Sequence, residues 1–211
     1  MVNDRDKTRT IYLMRHGDSR QDDIKRYIGQ ADLPLNREGL SQAASWRAAL
    51  TDIHLERIFC SDLSRSLETA RIIANGKDVP LQPMHKLREI NLGAWDGLSF
   101  DDVRTLYPKE YERRGASMVT YRPPGGECFA DLAARVIPLF VELVAGSSGN
   151  LLIVGHSGVN MVIISHILGM PLENLFRIRQ DYGCMNIIEC VNTSLSLDRM
   201  NMEIPGSTSH L

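Results

Sequence analysis

The stretch Ile11-Tyr12-Leu13-Met14-Arg15-His16-Gly17 decides how this chain is read. Ile11 to Met14 form a short apolar strand that stops at a cation, an imidazole and a glycine. In an open α/β sheet, ligands bind at the carboxyl ends of the strands. Arg15 offers a planar fork of donors that fits phosphate oxygens. A neutral His16 can act as a nucleophile and form a covalent intermediate. Gly17 lets the backbone turn sharply and come close to a ligand. Alone, the tripeptide is also readable as a plain strand-end turn, so the rest of the chain has to choose between the two.

Hydrophobic periodicity supplies the frame. Strands are predicted over 10–14, 57–60, 81–84 and 151–154. The last is Leu151-Leu152-Ile153-Val154, four apolar residues in a row, as in a strand buried on both faces. Helices are predicted over 37–50, 63–74, 129–144 and 159–168. Asn36 is the expected N-cap of the first, with Glu38 in its first turn, and Ser61 or Asp62 that of the second. Ser99 and Asp102 form a capping-box pattern that opens a short helix before Pro108. Pro138 should kink the long helix over 129–144. Segments 185–191 and 195–200 read as a hairpin across Asn192-Thr193-Ser194. Strands alternating with helices argue for an α/β three-layer sandwich, with a mostly parallel central sheet and helices on both faces. The chain reads as one domain with a lid-like insertion at about 98–127. Lys109 to Glu127 is its most charged and Gly/Pro-rich part. Residues 1–9 read as a loose leader and the last ten as a loose tail.

Composition narrows the function classes. The 211 residues are 43% hydrophobic and 24% charged, enough for a sizeable core. The net charge of −2 gives no general electrostatic case for nucleic acid or an anionic membrane. The expected partner is therefore a small molecule. The leader has no apolar signal core, and the longest apolar stretch, 159–170, is too short to span a bilayer. The four cysteines are scattered with no Cys-x-x-Cys pair, which fits reduced thiols in a cytoplasmic protein. The candidate assembly is a homodimer, although nothing in the sequence fixes the oligomeric state.

Three strand ends carry polar residues of one kind. The first ends in Arg15-His16, the second in Ser61 with Arg65 one helical turn on, and the third in Gly155-His156-Ser157. In a parallel sheet these ends share an edge. Two arginines and two histidines meeting there make a cationic pocket with a nucleophile in it. Free N–H groups at helix starts would add to it. Singly, Arg65 reads as a solvated charge and His156 as a hydrogen-bonded structural histidine; the convergence argues otherwise. His54, His85, His166 and His210 show no metal-ligand spacing.

Linked motifs extend the pattern. Arg15-His16-Gly17 is followed by Arg26-Tyr27-Ile28-Gly29-Gln30-Ala31-Asp32-Leu33-Pro34-Leu35 and by Ser61-Asp62-Leu63-Ser64-Arg65-Ser66. Then come Leu87-Arg88-Glu89-Ile90-Asn91-Leu92-Gly93-Ala94-Trp95-Asp96-Gly97, Pro123-Pro124-Gly125-Gly126-Glu127 and Gly155-His156-Ser157-Gly158-Val159. Over residues 10–190 this order resembles the histidine phosphatase superfamily, the group that contains cofactor-dependent phosphoglycerate mutase. The resemblance implies that fold and a phosphohistidine mechanism. His16 would attack phosphorus, and Arg15, Arg65 and His156 would neutralise the phosphoryl oxygens. Glu89 would protonate the leaving oxygen and then deprotonate water. Asp22 and Ser157 complete the expected phosphate site, and Tyr27, Gln30, Arg88, Tyr121 and Arg122 the expected substrate rim. No metal and no cofactor are implied. The chain departs from the family at Asp22, where Asn is usual, and at Cys128, where Ser often follows Gly-Gly-Glu.

Three reactions compete. Leu87 to Gly97 and Pro-Pro-Gly-Gly-Glu look like the phosphatase branch that includes α-ribazole phosphatase of cobalamin synthesis. The mutase branch carries a different Glu-Arg-x-Tyr-Gly stretch and a longer insertion. A serine hydrolase using Ser157 is the rival from another class, because Gly155-His156-Ser157-Gly158 resembles a nucleophile elbow. That motif, however, needs glycine where Val159 stands.

Overall fold

The computed structural model describes residues 8–204. A six-stranded sheet runs in the order β3-β2-β4-β1-β5-β6. Its strands are β1 (Thr8–Arg15), β2 (Arg57–Ser61), β3 (Leu81–Met84), β4 (Leu151–Gly155), β5 (Met185–Val191) and β6 (Ser194–Met202). β1, β2, β3 and β4 pair in parallel, while β5 lies antiparallel between β1 and β6. Thr8 and Arg9 belong to β1, so the strand begins inside the expected leader; residues 1–7 and 205–211, with His210, lie outside the described residues.

Side-chain alternation divides the core between the two faces. Ile11 and Leu13 of β1, Phe59 of β2 and Leu151 and Ile153 of β4 face one core. That core is filled by Leu132, Val136 and Phe140 of α5 (Phe129–Ala145) and by Val159 and Ile163 of α6 (Ser157–Ile167). Met14, Ile58, Cys60, Leu152 and Val154 face the other. Trp46 of α1 (Arg37–Ala49) and Ala70 and Ile73 of α2 (Ser64–Ala74) cover them. The three layers follow from this two-sided burial. The helix α5 runs unbroken through Pro138. Among the described residues no helix is long and apolar enough to cross a membrane, and the four cysteines are free and buried.

The caps are partly as expected. Asn36 accepts from the Gly39 N–H at 2.9 Å, and Ser99 and Asp102 form their capping box. α2 differs. Its start is held by Asp32, which accepts from the Ser64 N–H and hydroxyl, each at 2.7 Å. Ser61 instead accepts from the Leu63 N–H, and Asp62 pairs with Arg88. A residue 32 positions away reaches the helix start because the 18–36 loop crosses this edge of the sheet. At Cys128 the Asp131 carboxylate accepts from the Cys128 N–H at 3.0 Å and from its thiol.

Much of the segment expected as a lid is helical: α3 (Phe100–Leu106) and α4 (Pro108–Ala116). Pro108 sits at the start of α4, where its missing N–H costs nothing. Tyr107 and Tyr121 pack near the fully buried Trp95, and the buried Arg114 lies against Tyr27, Trp95 and Phe129.

Candidate active site

Register brings the strand ends together. Arg15 pairs with Gly155 across β1 and β4, and Cys60 with Val154 across β2 and β4. His16 and His156 therefore leave adjacent strands side by side, with ring centroids 5.0 Å apart. The His16 N–H donates to the Gly155 carbonyl at 3.1 Å, which ties the two turns to each other.

His16 is buried and oriented. Its Nδ1 lies 2.7 Å from the Gly17 carbonyl, which fixes the proton on that nitrogen. Its Nε2 is then an acceptor, 3.2 Å from the Nε–H of Arg65. Burial first, and then the Arg65 and Arg15 charges, push the His16 pKa well below the ordinary imidazole value. His156 is shifted the same way, by burial, then Arg65, His16 and Arg15. Both imidazoles are thus neutral at neutral pH. Among the described residues neither ring nitrogen of His156 has a hydrogen-bond partner, and Arg15 Nε also lacks one. Buried donors and acceptors in this state are open to hydrogen bonds from a ligand.

The two arginines are held by backbone carbonyls rather than carboxylates. Arg65 donates to Ala31 at 2.7 Å and Gly29 at 2.6 Å, and Arg15 to Gln180 at 2.6 Å. Carbonyls orient a guanidinium without cancelling its charge, so both stay available to an anion. Glu89 is buried at the edge of the cluster. Its carboxylate accepts from the Ile90 and Gly158 N–H groups, each at 2.9 Å, the second at the start of α6. One buried carboxylate beside two imidazoles and two guanidiniums is a setting for phosphoryl transfer: charge neutralisation, a nucleophile and a proton carrier.

A sequence model of the histidine phosphatase superfamily, branch 1, matches residues 11–203. The chain belongs to the histidine phosphatase superfamily. The adenosylcobalamin/α-ribazole phosphatase of Salmonella typhimurium is 31% identical over 192 residues, covering 90% of this chain and 95% of that one. The glucosyl-3-phosphoglycerate phosphatase of Mycolicibacterium vanbaalenii is 30% identical over 181 residues, covering 80% of this chain and 78% of that one. The crystal structure of α-ribazole phosphatase from Shigella flexneri matches with a TM-score of 0.87 at 27% identity, covering 95% of this chain and all of that one. The chain is accordingly a phosphoric monoester hydrolase.

Around this core the phosphatase uses other expected residues differently. Asp22 does not face the clustered cations; its carboxylate pairs with Arg26 at 3.0 Å and accepts from the Ile24 N–H. Ser157 is the first residue of α6, and His156 makes no hydrogen bond to it, so its hydroxyl has no base. Gln30 donates to the Glu89 carbonyl at 3.0 Å. Arg88 is held bidentately by Asp62, and Arg122 by Asp131. Tyr27 packs against Phe100 and Trp95, in the aromatic cluster rather than on an open rim. Tyr121 is likewise part of that cluster. Gly17 is required for packing, not for a sharp turn. A Cβ there would stand 2.5 Å from the Gly39 carbonyl oxygen of α1.

Sequence reading missed four contributors. The Tyr182 ring lies 3.6 Å beneath the Arg15 guanidinium and 5.6 Å from the His16 ring. Asp96 accepts from the Gly29, Gln30 and Ala31 N–H groups and so shapes the loop whose carbonyls hold Arg65. Glu127 accepts from the Asn91 N–H and pairs with Arg135, which also donates to the Lys86, Arg88 and Glu89 carbonyls. Gly158 lets Glu89 approach α6, since a Cβ would stand 2.5 Å from Glu89 Oε1. Asp96, Glu127 and Gly158 lie inside the quoted motifs, but only their long-range partners reveal what they do. Tyr182 carried no sequence signal.

Proposed function

We propose that the phosphatase works through a phosphohistidine on His16, and that α-ribazole 5'-phosphate is among its substrates. One observation carries the mechanism: the His16 Nε2 acceptor points at Arg65 while Nδ1 is committed to Gly17. In the first step Nε2 bonds to phosphorus and the ester P–O bond breaks, with Glu89 in its acid form giving its proton to the leaving oxygen. In the second, the Glu89 carboxylate takes a proton from water. The water oxygen bonds to phosphorus and the P–Nε2 bond breaks, returning His16 neutral. Arg15, Arg65 and His156 carry the phosphoryl charge throughout, as polar groups fixed before reaction. The substrate assignment rests on the name of the Salmonella relative and its 31% identity.

The test is trapping. Wild-type protein quenched during turnover should carry acid-labile phosphate, and His16→Ala should carry none and lose several orders of magnitude in kcat. A His16→Ala protein with near wild-type turnover would end the proposal. Assay of α-ribazole 5'-phosphate among phosphorylated metabolites tests the substrate separately.

A further inference from the structure

Arg15 takes its place from one turn, residues 180–184. Its Nη1 donates to the Gln180 carbonyl, its guanidinium lies on the Tyr182 ring, and its N–H donates to the Cys184 carbonyl at 3.0 Å. Where that turn sits is decided behind it, by side-chain amides. Asn186 of β5 is fully buried. Its Nδ2 donates to the Leu13 carbonyl of β1 and to Gln180 Oε1, each at 2.9 Å. Its Oδ1 accepts from Gln180 Nε2 at 2.8 Å and from the Asn201 N–H at 2.9 Å. Both donors and both acceptor sites of this amide are used. A buried amide bonded at every position admits one geometry of its neighbours.

Asn201 stands where β6 leaves regular pairing with β5. Met202 pairs with Met185 but Arg199 with Ile187, so β6 carries one residue more than its partner. The φ of Asn201 is 53°, in the left-handed region that Asn enters more readily than most side chains. From there its amide clasps Asp181 twice. Asn201 Oδ1 accepts from the Asp181 N–H at 2.7 Å, and its Nδ2 donates to Asp181 Oδ2 at 2.8 Å. Asp181 lies between Gln180 and Tyr182, the two residues that touch the Arg15 guanidinium. Arg179 also pairs with Asp181, but from a largely exposed position where an ion pair holds little.

We propose that Asn201 and Asp181 form a clamp that sets the position of Arg15, making an edge-strand residue a positioning residue of the phosphate site. The inference rests on the reading of Arg15 as a carrier of phosphoryl charge. It adds residues on β6 and on the turn before β5 that touch neither phosphate nor His16. Loosening the clamp lets the turn shift, and the Gln180 carbonyl and Tyr182 ring move Arg15 with it.

A double-mutant cycle tests whether the clamp acts through Arg15. Asn201→Gly keeps the positive φ and removes both side-chain bonds. Its kcat/KM on p-nitrophenyl phosphate should fall about tenfold, the scale of a sub-ångström misplacement of a charged group. In the Arg15→Ala background the same substitution should cost less than about twofold, because no guanidinium is left to misplace. Asn201→Asp sets two carboxylates face to face and should lose at least as much. Adding Asp181→Asn restores a donor opposite the new carboxylate and should bring kcat/KM back to within about threefold of wild type. This reversed pair carries the cycle if Asn201→Gly folds poorly, which a thermal melt reports. Wild-type kcat/KM in Asn201→Gly, an equal loss with and without Arg15, or no recovery in the reversed pair would overturn the proposal. An Arg15→Ala protein with wild-type kcat/KM would defeat the reading of Arg15 and the clamp with it. That failure shows in the single variant, so it is distinguishable from a clamp that serves only folding.

Discussion

Gly158→Ala offers a way to move the proposed general acid without removing it. A Cβ at this position would lie 2.5 Å from Glu89 Oε1 and 3.3 Å from Leu132 Cδ2. The carboxylate must retreat by roughly 1 Å to reach ordinary contact, and it must loosen its bond to the Gly158 N–H. A displacement of that size in a reacting group can cost about 10²-fold. The fold should not suffer, because the crowded atom ends a flexible side chain. Alanine in a helix is also favoured over glycine by up to about 1 kcal/mol. The expected result is an alkyl phosphate kcat lowered about 10²-fold with Tm kept or slightly raised. Glu89→Gln should lose about 10²–10⁴-fold. For p-nitrophenyl phosphate, whose leaving group needs no proton, both losses should shrink. Steady-state rates on the two substrates, with a thermal melt of each protein, make the comparison. An alkyl phosphate rate within threefold of wild type, or equal losses on both substrates, would refute the reasoning.

Stability should depend on pH through the buried imidazoles. The unfolded chain protonates His16 and His156 near the ordinary value of about 6.5, whereas burial and the neighbouring arginines keep them neutral when folded. Below that pH the unfolded state binds more protons, so stability falls as pH falls, by up to about 1.4 kcal/mol per unit for each imidazole. Urea titrations from pH 8 to 5 read the slope, which His16→Asn should flatten; an unchanged slope would mean that His16 protonates in the folded state. Asp96→Asn replaces one acceptor oxygen by a donor facing backbone N–H groups, at about 1.5–3 kcal/mol for each charged bond lost. It should lower Tm and cut kcat/KM at least about tenfold by loosening the loop that holds Arg65; wild-type kcat/KM with a lowered Tm would confine Asp96 to folding. Asp22→Asn should lower KM with less effect on kcat, because it frees Arg26 and removes a negative charge from the loop that follows His16; a raised KM from pH 5 to 8 would show that the carboxylate serves the site.

The sheet and its helices were legible because each is set by neighbours in the chain. Alternation in Ile11 to Met14 and Leu151 to Val154 fixes which side chains face which layer, and the Arg-His and Gly-His steps end those strands by local chemistry. The gathering of His16, Arg65 and His156 was legible too, since parallel strands put their carboxyl ends on one edge. What the sequence left open was the partnerships that the loops make across distance. The cap of α2 comes from Asp32, the loop behind Arg65 is shaped by Asp96, and Tyr182 slides beneath Arg15 from the turn before β5. Such contacts depend on where loops cross one another after packing, and periodicity carries no information about that. The same limit explains Gly17 and Gly158: a missing side chain in the sequence says that room is needed, and only the folded backbone of α1 and the carboxylate of Glu89 say for what. Asp22 shows it at a single residue. Its charge is written in the sequence, but the direction it faces is decided by Arg26, four residues on, once the loop has closed.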